Sequence, residues 1–191
     1  MKNERKDPAL KMPTPAEIGG TQHSTALKKL LVDGVKDIYW AEQELLKVLP
    51  NMQQAATTNG LKKAIQEHII QTQDHVTRLE NVFELCGVEP QAKPCEAMQG
   101  LINEGQHILS QTESGTMTRD AAIIFASQKI EHYEIATYGG LLEFARTLGY
   151  RDVAGYFNLT LDEEKQADQG LSLIAQTGIN WNAEHEKETA K

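Results

Sequence analysis

Two cysteines among 191 residues, Cys86 and Cys95, are too few for a disulfide framework, and they form no zinc or redox motif. A reduced, cytoplasmic protein is the reading that follows. Basic residues are also in deficit, 19 against 27 acidic ones, for a formal charge of −8. Such a balance argues against direct binding to a nucleic-acid backbone or an anionic membrane. No apolar run approaches the roughly 20 residues needed to span a bilayer. The opening MKNERKDPALKMPTPAEIGG has no apolar core of the signal-peptide kind, so no such leader is expected. Strand signals are missing too: there are no alternating runs, and Asn59-Gly60 lies between two helical patterns rather than two β-branched stretches.

What remains is helical periodicity. Segment A runs from about Ser24, an expected N-cap, to Thr58, with Leu31, Val35, Ile38, Leu45 and Leu49 on one stripe. Pro50 should kink or divide it, because proline lacks the N–H and crowds the preceding turn. Segment B runs from about Leu61 to Cys86, stopped by Gly87. Segment C spans about Thr118 to Leu148, and segment D about Asp152 to Gln176, ending at Gly178. The A–B and C–D joins are short and imply antiparallel hairpins, whereas the B–C link is long and carries its own helical pattern from Cys95 to about Thr112. Two antiparallel pairs joined by a long crossover give an all-α, ferritin-like antiparallel four-helix bundle with a short extra helix in the B–C crossover. Residues 1–22, with Pro8, Pro13, Pro15 and Gly19-Gly20, read as a flexible lead-in; 23–178 form the bundle; 179–191 read as a charged, frayed tail.

Each apolar stripe carries polar members near its middle. In A, the steps Leu31, Val35, Ile38, Glu42, Leu45, Leu49 put Glu42 in a core position. In B, Leu61, Ile65, His68, Thr72, His75, Leu79 turn His68 and His75 inward, with Gln71 one turn before His75. In C, Ile124, Ser127, Glu131, Glu134, Tyr138, Leu141 do the same for two glutamates and a tyrosine. In D, Phe157, Thr160, Glu164, Asp168, Leu171 place Glu164 and Asp168 together. Residues three or four apart share a helical face, so these groups converge.

Burying several carboxylates together is costly through both desolvation and mutual repulsion. Five inward carboxylates (Glu42, Glu131, Glu134, Glu164, Asp168) carry a formal −5, which two divalent cations would reduce to −1. Glutamate, aspartate and imidazole suit iron or manganese, and no thiolate stripe points to zinc or copper. Taken singly, each residue also has a plainer reading. Glu163 and Glu164 fit an exposed acidic run, and His68 fits a hydrogen-bonded core histidine. His107 and His132 fall off the stripes. Tyr138 is either an aromatic core residue or a hydrogen-bonding neighbour of the metals. Cys95 is either a small buried residue or a redox-sensitive thiol.

The stretches DIYWAEQELLKVLPNM, TQDHVTRLENVFELCG, CEAMQGLINEG, AAIIFASQKIEHYEIATYGGLLEFARTLGY and LDEEKQAD resemble the YciE/YciF family of ferritin-like proteins, in unbroken order over about residues 24–176. The resemblance implies a four-helix domain, a di-metal site of rubrerythrin type, dimerisation and an association with bacterial stress responses. Matched residue by residue, it implies Glu42, His75, Glu131, Glu134, Glu164 and Asp168 as ligands. At position 71, where relatives often have Glu, this chain has Gln, a weaker ligand without charge. The expectation is a protein holding two divalent ions, iron first and manganese second, that reacts with dioxygen or peroxide, with Tyr138 as the catalytic neighbour. It would act as a homodimer, with neither nucleic acid nor membrane as partner. The alternative is a metal-free helical interaction module, in which the polar layer fixes helix register and a dimer interface; an iron-storage cage is a third.

Overall fold

The computed structural model of the chain describes residues 25–187; the expected lead-in at 1–22 and the Ser24 cap lie outside them. Five long helices follow in order: α1 (Ala26–Ala55), α2 (Asn59–Cys86), α3 (Glu96–Ser110), α4 (Met117–Thr147) and α5 (Arg151–Ile174). A π-helical turn, Ala175–Ile179, then leads into a short α6, Asn180–Glu184. Around the bundle α1 packs on α2, α2 on α5, α5 on α4 and α4 on α1, while α3 lies chiefly against α4. This is the expected four-helix bundle with a crossover helix.

Local chemistry sets the helix ends. Thr25, Thr58 and Thr116 each cap a helix by accepting a backbone N–H, from Lys28, Leu61 and Arg119 respectively. Cys95 does the same for α3, its Sγ accepting from Met98 N at 3.4 Å. Its thiol is buried, as are Met98 and Ile102, which seat α3 on the bundle. Gly87 ends α2 in the left-handed region at φ 71°, where a Cβ would add strain.

Two expectations are corrected in part. Of the kink or division expected at Pro50, the division does not occur: helix α1 runs through it. The pyrrolidine ring is exposed, and the buried side chains of Leu45, Leu49 and Met52 hold the helix to the bundle on both sides of it. Their combined burial outweighs the roughly 3 kcal/mol that an interior proline costs. The long helical run does break at Gly178, where φ 166° and ψ −31° are non-helical, but the chain beyond it is not frayed. The π-helical turn buries Ile179, α6 packs back on α4, and Glu186 accepts from the N–H groups of Met117 (2.5 Å) and Thr118 (2.9 Å). Those bonds to the start of α4 hold the Glu186 carboxyl below its ordinary range. The expected frayed tail is therefore docked as far as Glu186, and 188–191 lie outside the described residues.

A buried carboxylate locks the α1–α2 join to α4. Asp120 is fully buried and accepts from Thr57 N at 2.5 Å and Thr58 N at 2.8 Å, beside the Thr57 hydroxyl bond to the Thr116 carbonyl. Asp120→Ala should lower stability by roughly 2 kcal/mol, because it strands two part-buried N–H donors. Urea denaturation measures this; a loss below about 0.5 kcal/mol, the scale of an inert surface change, would show that water replaces the carboxylate freely.

Candidate metal centre

The inward stripes meet at mid-bundle. Glu42 on α1, His75 on α2, Glu134 on α4 and Glu164 on α5 are all fully buried, with Glu131 at 3% and His68 at 8% exposure beside them. Their donor atoms fall into two groups. The first comprises His68, Glu131, Glu134 and Glu164; the second comprises Glu42, His75 and Glu164. Within each group one donor atom per residue lies within 4.8 Å of all the others. Glu164 belongs to both, as a bridging carboxylate would.

The second group has a built outer layer. His75 Nδ1 faces Glu164 Oε1 at 3.0 Å and Glu42 Oε1 at 3.3 Å, and its Nε2 meets Glu163 Oε2 at 2.9 Å. Glu163 is gripped in turn by both terminal nitrogens of Arg78, at 2.5 and 2.9 Å, and Arg78 also reaches the Thr160 hydroxyl. This carboxylate fixes the imidazole with Nδ1 turned inward, the arrangement that orients histidine ligands. Tyr138, buried to 1% exposure, donates its hydroxyl to Glu42 Oε1 at 2.5 Å.

The electrostatics of these residues favour positive charge at the centre. Burial pulls the His75 imidazolium down, but the Glu42 and Glu164 carboxylates outweigh it and lift the pKa to about 11. Burial and the neighbouring Glu164 push Glu131 and Glu134 well above the carboxylate range. Burial and Glu42 likewise push the Tyr138 phenol up, so it stays a hydrogen-bond donor. Glu164 is held low despite its burial, by His75.

The donor set fits cations on a further observation. Both oxygens of Glu134, one oxygen each of Glu42, Glu131 and Glu164, and Nδ1 of His68 have no hydrogen-bond partner among the described residues, while His75 Nδ1 meets only Glu164 and Glu42. Each such atom left unpaired costs about 1–3 kcal/mol, more when charged. Four buried carboxylates carry −4, which two divalent cations balance to zero with both imidazoles neutral. The oxygen and nitrogen donors are those of iron or manganese sites.

The sequence-derived residues divide accordingly. Glu42, His75, Glu131, Glu134 and Glu164 are brought together, and Tyr138 touches them. Asp168 is not in either group: its carboxylate is 19% exposed, accepts from Gln128 Nε2 at 3.0 Å and lies 3.5 Å from the exposed His132. Gln71 is half-buried at the edge of a pocket beside His68 and Glu131. His107 is exposed and paired with Gln111. His68 also joins the first group, as its spacing from His75, two turns along one stripe, suggests. Glu163, for which an exposed acidic run is one open reading of the sequence, stands with Arg78 behind His75.

The comparisons with known proteins agree with this architecture. Residues 26–184 match the family model described as a domain of unknown function, DUF892. The chain is 36% identical over 160 residues to protein YciF of Escherichia coli strain K12, spanning 83% of this chain and 96% of that one. The crystal structure of the E. coli stress protein YciF superposes with a TM-score of 0.77 at 35% identity, covering 83% of this chain and 99% of that chain. YcfI of Rhodopseudomonas palustris gives a TM-score of 0.75 at 36% identity, covering 80% and 97%. A two-domain protein of Anabaena variabilis that contains a ferritin-like domain shares the fold at 17% identity, with a TM-score of 0.60 over 89% of this chain and 42% of that one.

Proposed function

We propose that this chain, which belongs to the YciE/YciF (DUF892) family, is a di-metal carboxylate protein that holds two iron ions, or two manganese ions, and reacts with dioxygen or peroxide. The observation that carries the reading is the pair of buried donor groups sharing Glu164, with their unpartnered oxygens and the unpartnered Nδ1 of His68. The description of the E. coli relative as a stress protein supports a role under stress. Bound in the reduced state, two such ions would supply the electrons that an oxidant takes up.

The chain's own residues set the conditions for that chemistry. Glu163, anchored by Arg78, keeps the His75 ring oriented with Nδ1 toward Glu42 and Glu164. The Tyr138 hydroxyl fixes Glu42 by donating its proton to Oε1 across an oxygen–oxygen distance of 2.5 Å. Ile38, Leu45, Phe157 and Leu141 enclose the carboxylates in an apolar bundle, where their charges act through a low dielectric. Carboxylates with no fixed hydrogen bonds, Glu134 above all, are free to change how they hold a cation as its charge changes.

Metal analysis of anaerobically purified protein tests the reading. Iron or manganese should approach two equivalents per chain, and Glu134→Ala should lower that figure. Metal that stays sub-stoichiometric after reconstitution and is indifferent to Glu134→Ala would leave the polar layer as a structural device.

A further inference from the structure

The two donor groups differ in their access to the outside. A pocket of about 170 Å³ has His68 and Glu131 in its lining, both members of the first group. Glu42, His75 and Tyr138, by contrast, lie away from that lining. Ile65 of α2, Leu49 of α1 and Leu171 of α5 form its apolar walls. Its exposed or half-exposed polar residues, Gln71, Gln166 and Glu67, mark the outer end, since His68 and Glu131 are buried.

Size and chemistry narrow the occupant. A cavity of about 150 Å³ lined by apolar side chains takes a benzene ring, so this one admits a single ring with one small substituent. Gln71 and Gln166 each offer an amide that donates and accepts, suited to a hydroxyl group. Glu67, at the outer end, opposes an anion on its way in. A cation would lose hydration against Leu49, Ile65 and Leu171. Dioxygen or peroxide alone would leave most of the volume unused.

We propose that this pocket binds a small neutral organic molecule, a single ring or short chain bearing one hydroxyl, next to His68 and Glu131. The proposal rests on the di-metal reading only for what the molecule meets at the inner end. Binding itself follows from the pocket. The site thus has one enclosed side, at Glu42, His75 and Tyr138, and one side where an organic reactant is held.

Gly170 supplies the test. It lines the pocket from α5, and a Cβ added there meets nothing within 4 Å. Gly170→Leu therefore adds bulk at the pocket lining with no clash at its Cβ, and leucine is the better helix former. Phenol is the probe, titrated into the full chain by calorimetry, with metal content measured on the same samples. Benzoate and benzylammonium provide the same ring with either charge. Phenol should saturate at millimolar concentration, Gly170→Leu should weaken it at least tenfold, and both charged analogues should bind at least tenfold more weakly. Phenol that fails to saturate, an unchanged affinity in Gly170→Leu, or equal affinity for a charged analogue overturns the proposal. The two readings fail separately: phenol binding blocked by Gly170→Leu in protein that takes up no metal would keep the pocket and remove the di-metal centre. Two metals per chain with no phenol binding would do the reverse.

Discussion

Glu164→Gln should cost the protein both metal ions, whereas Asp168→Asn and Gln71→Ala should leave the stoichiometry at two. The difference follows from position. Glu164 is the residue common to both donor groups, is fully buried, and meets His75 Nδ1 at 3.0 Å, leaving its other oxygen unpartnered. Glutamine keeps the volume and the packing of α5, so the loss is not one of folding. It removes one of four buried charges, so two divalent ions would leave an uncompensated positive charge in the interior. An amide is also a poorer partner for a hard cation than a carboxylate. Loss of an outer-layer partner typically weakens metal binding by 10–100-fold; loss of a shared inner carboxylate should exceed that at both positions. Asp168, by contrast, is already satisfied by Gln128, and Gln71 sits at a pocket edge. Elemental analysis and competition with a chelator read all three variants. Retention of one firmly bound ion in Glu164→Gln would mean that the two positions are held independently, and Glu164 would lose its bridging role.

Much of this centre could be read from the residues because periodicity and chemistry coincide. Glu42, Glu131, Glu134, Glu164 and His75 sit on 3–4 stripes whose other members are core leucines, isoleucines and valines, so burial follows from their neighbours. Helical spacing places side chains around an axis but not along a radius. Glu164 and Asp168 share one face of α5, yet Asp168 lies where the bundle surface is near and ends up partly exposed. Glu163 is one residue off the stripe, a step of about 100°, which suggests solvent when α5 is considered alone. The neighbouring α2 changes that, because its Arg78 and His75 meet Glu163 from the side. Such lateral contacts depend on which helices adjoin, information that no single stripe holds. The end of the domain escaped for a similar reason. Gly178 looks like a stop, but the anchor that carries the chain onward, Glu186 on the first turn of α4, is a contact across the fold.

Stripping the metals should make the protein's stability fall with pH between about 5 and 9, a fall that the loaded form does not share. Consider the stripped protein first. Glu131 and Glu134 have folded pKa values raised above the unfolded 4.5, so their contribution is most favourable below that value and is lost as pH rises through the raised ones. His75 behaves alike: its stabilisation is complete below 6.5 and is lost as pH rises toward about 11. Glu163 and Glu164, held low, contribute above 4.5 and lose that contribution only as pH falls through their lowered values, outside this window. The stripped protein should therefore lose stability steadily from pH 5 to 9. In the loaded protein the same groups must shed protons to bind cations, so protons compete with metal and its stabilisation grows with pH. A single ion at a thousandfold excess over its Kd adds about 4 kcal/mol, or roughly 8–16 °C in Tm for a chain of this size. The gap in Tm between loaded and stripped protein should thus be smallest near pH 5 and widest near pH 9. Calorimetric scans of both forms across that range check it. A chelator that leaves Tm untouched at every pH would instead favour the metal-free module, for which Glu131→Leu should then be neutral or stabilising because apolar packing replaces a buried ionic layer.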